Sequence, residues 1–262
     1  MKHYFFGKYY KFLSRDGFAL AIIDSYSDEG PAMQLITKER SYSLSDVKAI
    51  RILENRVLFS VNEKDLSVSG EINLGFLHPL KHPAMGPFRI FSMECSHDVY
   101  SMYHSLSGSI LIQGRKVDFQ DGYGYIEGDK GRSFPSKYFW YNSIGPDYGL
   151  TVAIATIPFG LIHFTGLLGF IHYQGKEYRL CTYNFGKVVE RTKERVVLRK
   201  GKYSLEIHLA EPQGFALKAP KDGGMSRIIK ENVAVKTSFC FRDKKRVILE
   251  KEDPYSSLEQ MF

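Results

Sequence analysis

The 262-residue chain is 44% hydrophobic and 25% charged, a globular balance that excludes a disordered chain. Lys and Arg outnumber Asp and Glu 36 to 29, a net charge of +7, but no basic run has groove-reading character, so nucleic acid is not an expected partner. The excess suits a solvated basic face, an anionic ligand or peripheral contact with an anionic membrane.

In chain order the dominant rhythm is short strand, tight turn, short strand. The N-terminus, MKHYFFGKYYKFLSRDG, has Lys8 and Lys11 inside its apolar stretch and no small-residue cleavage site, so no secretory signal is expected. Phe18–Tyr26 turns at Asp28-Glu29-Gly30-Pro31 into Ala32–Thr37, and Ile50–Leu53 turns at Glu54-Asn55 into Val57–Val61. Between them Ser43–Ile52 has room for a helical turn or two, capped by Ser45-Asp46. Ser109–Ile112 turns at Gln113-Gly114-Arg115, Ile171–Tyr173 at Gln174-Gly175-Lys176, and Val196–Arg199 at Lys200-Gly201-Lys202. Each turn holds a Gly or Asn able to take positive φ. Leu150–Ile171 carries no Asp, Glu, Lys or Arg and has the length of a membrane span, but Pro158 and Gly160 at its middle favour two buried strands joined by a turn. Ser256–Phe262 reads as a short terminal helix. Regularly spaced strands with few helices indicate an all-β sandwich or barrel. Gly108–Phe119 and Gly169–Leu180 share Gly, Ile, Gln and Gly in order; either two related barrels or common hairpin chemistry produces this echo.

Cys95, Cys181 and Cys240 are widely spaced with no Cys-x-x-Cys, which points to free thiols, a reducing cytoplasmic setting, and neither a zinc site nor a redox pair. Length and turns together suggest two β domains, 1–133 and 134–262. The densest chemistry lies at that join, in Tyr123–Asn142, YGYIEGDKGRSFPSKYFWYN. Glu127, Asp129, Lys130 and Arg132 are interleaved there with Tyr125, Phe134, Tyr138 and Trp140, the only Trp. Gly128 and Gly131 read as flanking a charged turn. The mixture suits an apolar, aromatic pocket with a few placed charges, or a charged hairpin between aromatic edge strands.

At this motif the chain resembles the tocopherol cyclase-like family: Glu127, Gly131, Phe134-Pro135, Tyr138, Trp140 and Asn142 fall in that family's order. Phe6-Gly7-Lys8-Tyr9-Tyr10-Lys11 resembles its N-terminal strand, Gly175-Lys176-Glu177-Tyr178-Arg179 its central hairpin, and Leu217-Lys218-Ala219-Pro220 with Met225 to Glu231 its C-terminal block. The resemblance implies two lipocalin-like β-barrels side by side, related to carotenoid hydratase-like and stress-survival lipocalin-like proteins. It implies a hydrophobic small-molecule ligand and cofactor-free closure of a chromanol ring on a prenylated hydroquinone. Gly128-Asp129-Lys130 departs from the plant-type motif, which makes Asp129 a second candidate donor beside Glu127.

Alkene protonation needs an acid in a dry site and aromatic faces that tolerate a developing cation. Glu127 and Asp129 are the candidate donors. Tyr125, Lys130, Arg132, Phe134, Tyr138, Trp140, Asn142 and His97 are the candidate ligand contacts. Burial would raise a Glu127 pKa, while Lys130 and Arg132 nearby would lower it and turn the carboxylate into a structural ion pair. His97 and His104 lie seven apart, on opposite faces of a regular strand, which argues against a joint metal site. No nucleotide-binding motif or metal motif is present, and no cofactor is expected. The alternative function is a non-catalytic lipid or isoprenoid carrier.

Overall fold

The computed structural model describes residues 4–91, 93–159, 162–210 and 214–261. The chain forms two antiparallel sheets of ten strands each. The first contains β1 (Phe5–Leu13), β2 (Ala19–Ser27), β3 (Gly30–Thr37), β4 (Ser41–Ser43), β5 (Ile50–Ile52), β6 (Arg56–Glu63), β7 (Leu66–Leu74), β8 (Cys95–Ile112), β9 (Arg115–Asp118) and β10 (Gly122–Gly131). The second contains β11 (Tyr138–Ile144), β12 (Tyr148–Phe159), β13 (Ile162–Tyr173), β14 (Lys176–Arg179), β15 (Lys187–Arg191), β16 (Arg195–Lys200), β17 (Tyr203–Leu209), β18 (Phe215–Lys221), β19 (Gly224–Asp243) and β20 (Arg246–Met261).

The two sheets repeat one topology. The first is ordered β4-β3-β2-β1-β10-β8-β7-β6-β5, and the second β14-β13-β12-β11-β20-β19-β17-β16-β15. In each, the opening strand pairs with the closing one, so each half of the chain curls up into a lipocalin-like barrel. The alternation that builds them is plain in β6, where Val57, Phe59 and Val61 are buried and Arg56, Ser60 and Asn62 are exposed.

Three apolar cores result. One fills the first barrel around Phe12, Leu20, Phe59 and Phe119. A second fills the other barrel around Phe139, Tyr141, Leu198 and Phe241. The third lies between the barrels and joins Tyr9, Met102, Tyr125, Trp140, Phe170 and Ile229. This third core explains why β11 is buried on both faces: Phe139 and Tyr141 point into their own barrel, and Tyr138, Trp140 and Asn142 point toward the other. Gly149 marks how closely the barrels meet, since a Cβ there would lie 2.1 Å from the Met102 carbonyl oxygen on β8.

Several local expectations change. Gly128 and Gly131 do not flank a turn; Glu127–Lys130 runs inside β10, paired with β1 on one side and β8 on the other. Gly128 serves close approach instead, because a Cβ there would sit 2.8 Å from the Gly7 carbonyl oxygen. The end of the chain is strand and not helix: β20 pairs through Met261 with Tyr138, and Ser256, Ser257 and Leu258 are all buried. Near Ser43–Ile52 there is one short 3-10 turn, Val47–Ala49, where Asp46 accepts from the Lys48 amide. The apolar run 150–171 makes β12 and β13, with Pro158 inside β12 opposite His163; residues 160 and 161 of the expected turn lie outside the described residues. Among the described residues no helix is long and apolar enough to cross a membrane. The Gly108 and Gly169 echo is hairpin chemistry: β8–β9 and β13–β14 occupy different places in the two sheets, and both reverse through Gln-Gly pairs at positive φ. All three cysteines are free.

Candidate active site between the barrels

A cavity of about 180 Å³ lies between the sheets and extends past Phe139 and Leu167 toward the end of the second core. Strand alternation supplies its acids. On β10, Tyr125, Glu127 and Asp129 share the face turned away from the first barrel's core, whereas Ile126 points into that core. Register then sets the neighbours: Tyr9 on β1 lies opposite Glu127, and His97 on β8 lies opposite Asp129.

Glu127 is 5% exposed. The Tyr125 hydroxyl donates to its Oε2 at 2.5 Å and the Trp140 indole N–H donates to the same oxygen at 2.9 Å. His97 Nε2 stands 3.6 Å from that oxygen. Two hydrogen bonds and the nearby His97 ring thus face Oε2 and leave Oε1 as the atom on which a proton can sit. Burial raises the Glu127 pKa to about 7, against the opposing pull of His97 and with a further push from Asp129. His97 Nδ1 is 3.1 Å from Asp129 Oδ1, and the Cys95 thiol donates to that oxygen at 3.6 Å. Burial pulls the imidazole down, but Asp129 and Glu127 outweigh it and hold His97 at about 9, protonated at neutral pH. Asp129, His97 and Glu127 form a line along which a proton can pass. Their ligating atoms also come within 4.8 Å of one another, close enough to share a cation.

The opposite wall carries acids too. Trp140, Glu259 and Glu231 are successive cross-strand neighbours on β11, β20 and β19, and all three line the cavity. Tyr138 donates its hydroxyl to Glu259 Oε1, and the Tyr9 hydroxyl, 3.2 Å from Ser257 Oγ, stands against Glu231. Burial lifts Glu231 to about 8 and Glu259 well above the usual carboxylate range. Lys11 is fully buried nearby, with Nζ donating to the Tyr255 carbonyl at 2.7 Å, and burial lowers its pKa to about 8. The roof comes from the connection between β7 and β8, which contributes Met85, Phe88 and Met93. It is fastened to the second barrel where Arg179 donates to the His82 and Pro83 carbonyls and Glu177 accepts from the Lys81 amide.

The structure gathers Glu127, Asp129, His97, Phe134, Tyr138 and Trp140 around one cavity, with Tyr125 directly behind Glu127. Phe134 packs edge-on against Phe5 and Tyr138. The other expected contacts lie elsewhere. Lys130 and Arg132 are exposed and outside the cavity lining, and neither is among the groups that set the Glu127 pKa; His97 plays that part. Asn142 is fully buried beyond the lining, where Nδ2 donates to the Leu150 carbonyl at 3.3 Å. Tyr9, Lys11 and Glu231 fall in blocks that carry the family resemblance but are not among the candidate site residues, and Glu259 lies in the expected terminal helix; all four reach the site through pairings with distant strands.

No protein-family model matches the chain, and no curated protein matches it. Solved structures do. A chain of kievitone hydratase from Nectria haematococca aligns with a TM-score of 0.53 at 10% identity, over 98% of this chain and 88% of that one. CghA with Sch210972 aligns with a TM-score of 0.64 at 8% identity, over 99% and 88%. These likenesses establish a shared fold, the all-β lipocalin-like double barrel.

Proposed function

We propose that the protein is a cofactor-free acid–base enzyme that binds a lipophilic small molecule between its two barrels and protonates a carbon–carbon double bond. Two lipocalin-like domains, 1–133 and 134–262, form the halves of the site. The observation that carries this reading is Glu127: a buried carboxyl with its pKa raised to about 7, whose Oε2 is held by Tyr125 and Trp140, leaving Oε1 as the oxygen to hold the proton.

The chemistry balances without further reagents. The π electrons of the alkene take the proton from Oε1, forming a C–H bond and leaving a carbocation and the Glu127 carboxylate. That carboxylate is already addressed by a phenol O–H, an indole N–H and a protonated imidazole, so the charge it gains is stabilised as it develops. The faces of Tyr9 and Trp140, 5.2 Å apart edge-to-face, offer the cation π-density. A hydroxyl of the same substrate closes the ring by forming a C–O bond, and its proton returns to Glu127. The net result is an isomerisation, and a prenylated hydroquinone or related terpenoid is the substrate class in keeping with it. Kievitone hydratase, on the same fold, is named for a hydration, and CghA is solved with Sch210972.

The test is Glu127→Gln assayed on a prenylated hydroquinone, with Asp129→Asn in parallel. Loss of the acid should lower turnover by about 10²–10⁴-fold while binding changes little. Unchanged turnover in both variants refutes the acid assignment. Tight binding of such quinols by the wild type with no turnover replaces the enzyme with a carrier.

A further inference from the structure

The wall facing Glu127 has a property that alkene protonation does not use. Glu231 is 3% exposed, it lines the cavity, and its Oε1 has no hydrogen-bond partner among the described residues. Glu259, directly opposite it on the neighbouring strand, is 7% exposed and lines the same cavity. Side chains at such directly paired positions have Cβ atoms about 4.5–5.5 Å apart, so the two carboxyl groups can reach a single atom. Each already has a tyrosine hydroxyl against it, Tyr9 on Glu231 and Tyr138 on Glu259. A tyrosine that donates to one oxygen of a neutral acid leaves the other oxygen to carry the O–H.

From this geometry we infer that Glu231 and Glu259 form a second subsite, which grips an uncharged oxygen, a carbonyl or hydroxyl, at the polar end of the lipophilic ligand. The inference rests on the reading of the cavity as a lipophile site and adds which lipophile it takes. The unpartnered Glu231 Oε1 gives the subsite its purpose, since a buried polar atom left without a partner is costly and a ligand oxygen would satisfy it. Neutral carboxylic acids are competent donors in dry sites. The same wall disfavours a carboxylate or phosphate, because the burial that keeps Glu231 and Glu259 protonated would penalise a negative charge on the ligand in the same way. The ligand should therefore be a lipophilic ketone, quinone, phenol or alcohol, and not a fatty acid.

Three probes of similar length test this: geranylacetone, the matching hydrocarbon without the ketone oxygen, and geranic acid. Binding is followed by the emission of Trp140, the only tryptophan, and checked by calorimetry. Geranylacetone should bind wild type about tenfold more tightly than the hydrocarbon, the scale of one or two net hydrogen bonds, and geranic acid should bind more weakly than the ketone. Glu231→Leu should erase the preference for the ketone while keeping hydrocarbon affinity, and Glu231→Gln, which retains a donor, should restore part of it. With a ¹³C=O label, the bound carbonyl stretch should fall in frequency relative to hexane in wild type and rise again in Glu231→Leu, a signature that a purely structural glutamate would not give. Equal binding of ketone and hydrocarbon, or preferred binding of geranic acid, overturns the subsite and leaves the lipophile cavity standing. Absence of saturable binding by ketone and hydrocarbon alike removes the cavity reading and the subsite with it.

Discussion

Replacing Glu231 by Gln should stabilise the protein at pH 8 and not at pH 4.5. Glu231 is buried, and its pKa rises from the ordinary 4.5 to about 8, chiefly through loss of solvation. An acid with a raised folded-state pKa favours the fold while both states are protonated. Its contribution is intact below 4.5 and is lost between 4.5 and about 8, where the unfolded chain has released the proton and the folded chain still holds it. At about 1.36 kcal/mol per pH unit, that interval costs up to about 5 kcal/mol, of which about 3 kcal/mol is already lost at pH 7. Gln has nearly the same shape and no proton to lose, so it is free of this pH dependence. Urea unfolding of wild type and Glu231→Gln at pH 4.5, 6 and 8 measures the difference at each pH and cancels groups common to both. The variant should gain ground steadily from pH 4.5 to pH 8, by at least about 2 kcal/mol. A pH-independent difference would mean that Glu231 is ionised in the folded protein, and the argument for a proton-loaded wall would fail.

Three further outcomes follow from the same site. Catalytic efficiency should fall as pH rises above about 7, where Glu127 loses the proton it must deliver; a rise across that range would make Glu127 a base. Tyr125→Phe removes a donor that lowers the Glu127 pKa, so the alkaline limb of the pH–rate profile should move upward while turnover falls; an unmoved limb would separate Tyr125 from the chemistry. Gly149→Ala should cost about 1–3 kcal/mol in thermal or urea unfolding, because its Cβ would stand 2.1 Å from the Met102 carbonyl oxygen where the barrels touch; a neutral substitution would refute that close contact.

How much of this was legible beforehand depended on whether the signal was local. The hairpins at Gln113-Gly114 and Gln174-Gly175 announce themselves because positive φ is a demand on the residues of the turn itself. The glycines of the Glu127 motif misled for the same reason: Gly128 looks like a turn residue, but its task is to admit the Gly7 carbonyl oxygen, a partner more than a hundred residues away in sequence. Lys130 was set beside Glu127 because it is near in sequence. In a strand the neighbour three residues on faces the other way, and Lys130 goes to solvent. Glu127, Asp129 and His97 could be chosen from residue type, but their relation could not. The line Asp129–His97–Glu127 exists only through the register of β10 with β8. Glu259 stood in a segment with no clear strand alternation and was read as helix, which hid the face it presents.

The distribution of charge in the cavity bears on why two barrels are needed. Each barrel has a solid apolar core of its own, so a single copy leaves little room for chemistry inside. The third core, between them, is built from side chains that a lone barrel would expose: Tyr9, Tyr125 and Glu127 on one side, Trp140, Glu231 and Glu259 on the other. In water those carboxyls would be ordinary anions. Buried between the barrels they lose solvation, which raises the pKa of all three, and Glu127 adds a further push on both Glu231 and Glu259, while His97 and Asp129 offset one another. Proton affinity at this site is therefore a property of the interface and not of either half. Each barrel expressed alone would solvate its carboxyls and lose the acid, and Glu127→Gln at the interface would make the same chemical change with the barrels left in place. The two perturbations should silence turnover alike, one by removing dryness and the other by removing the proton.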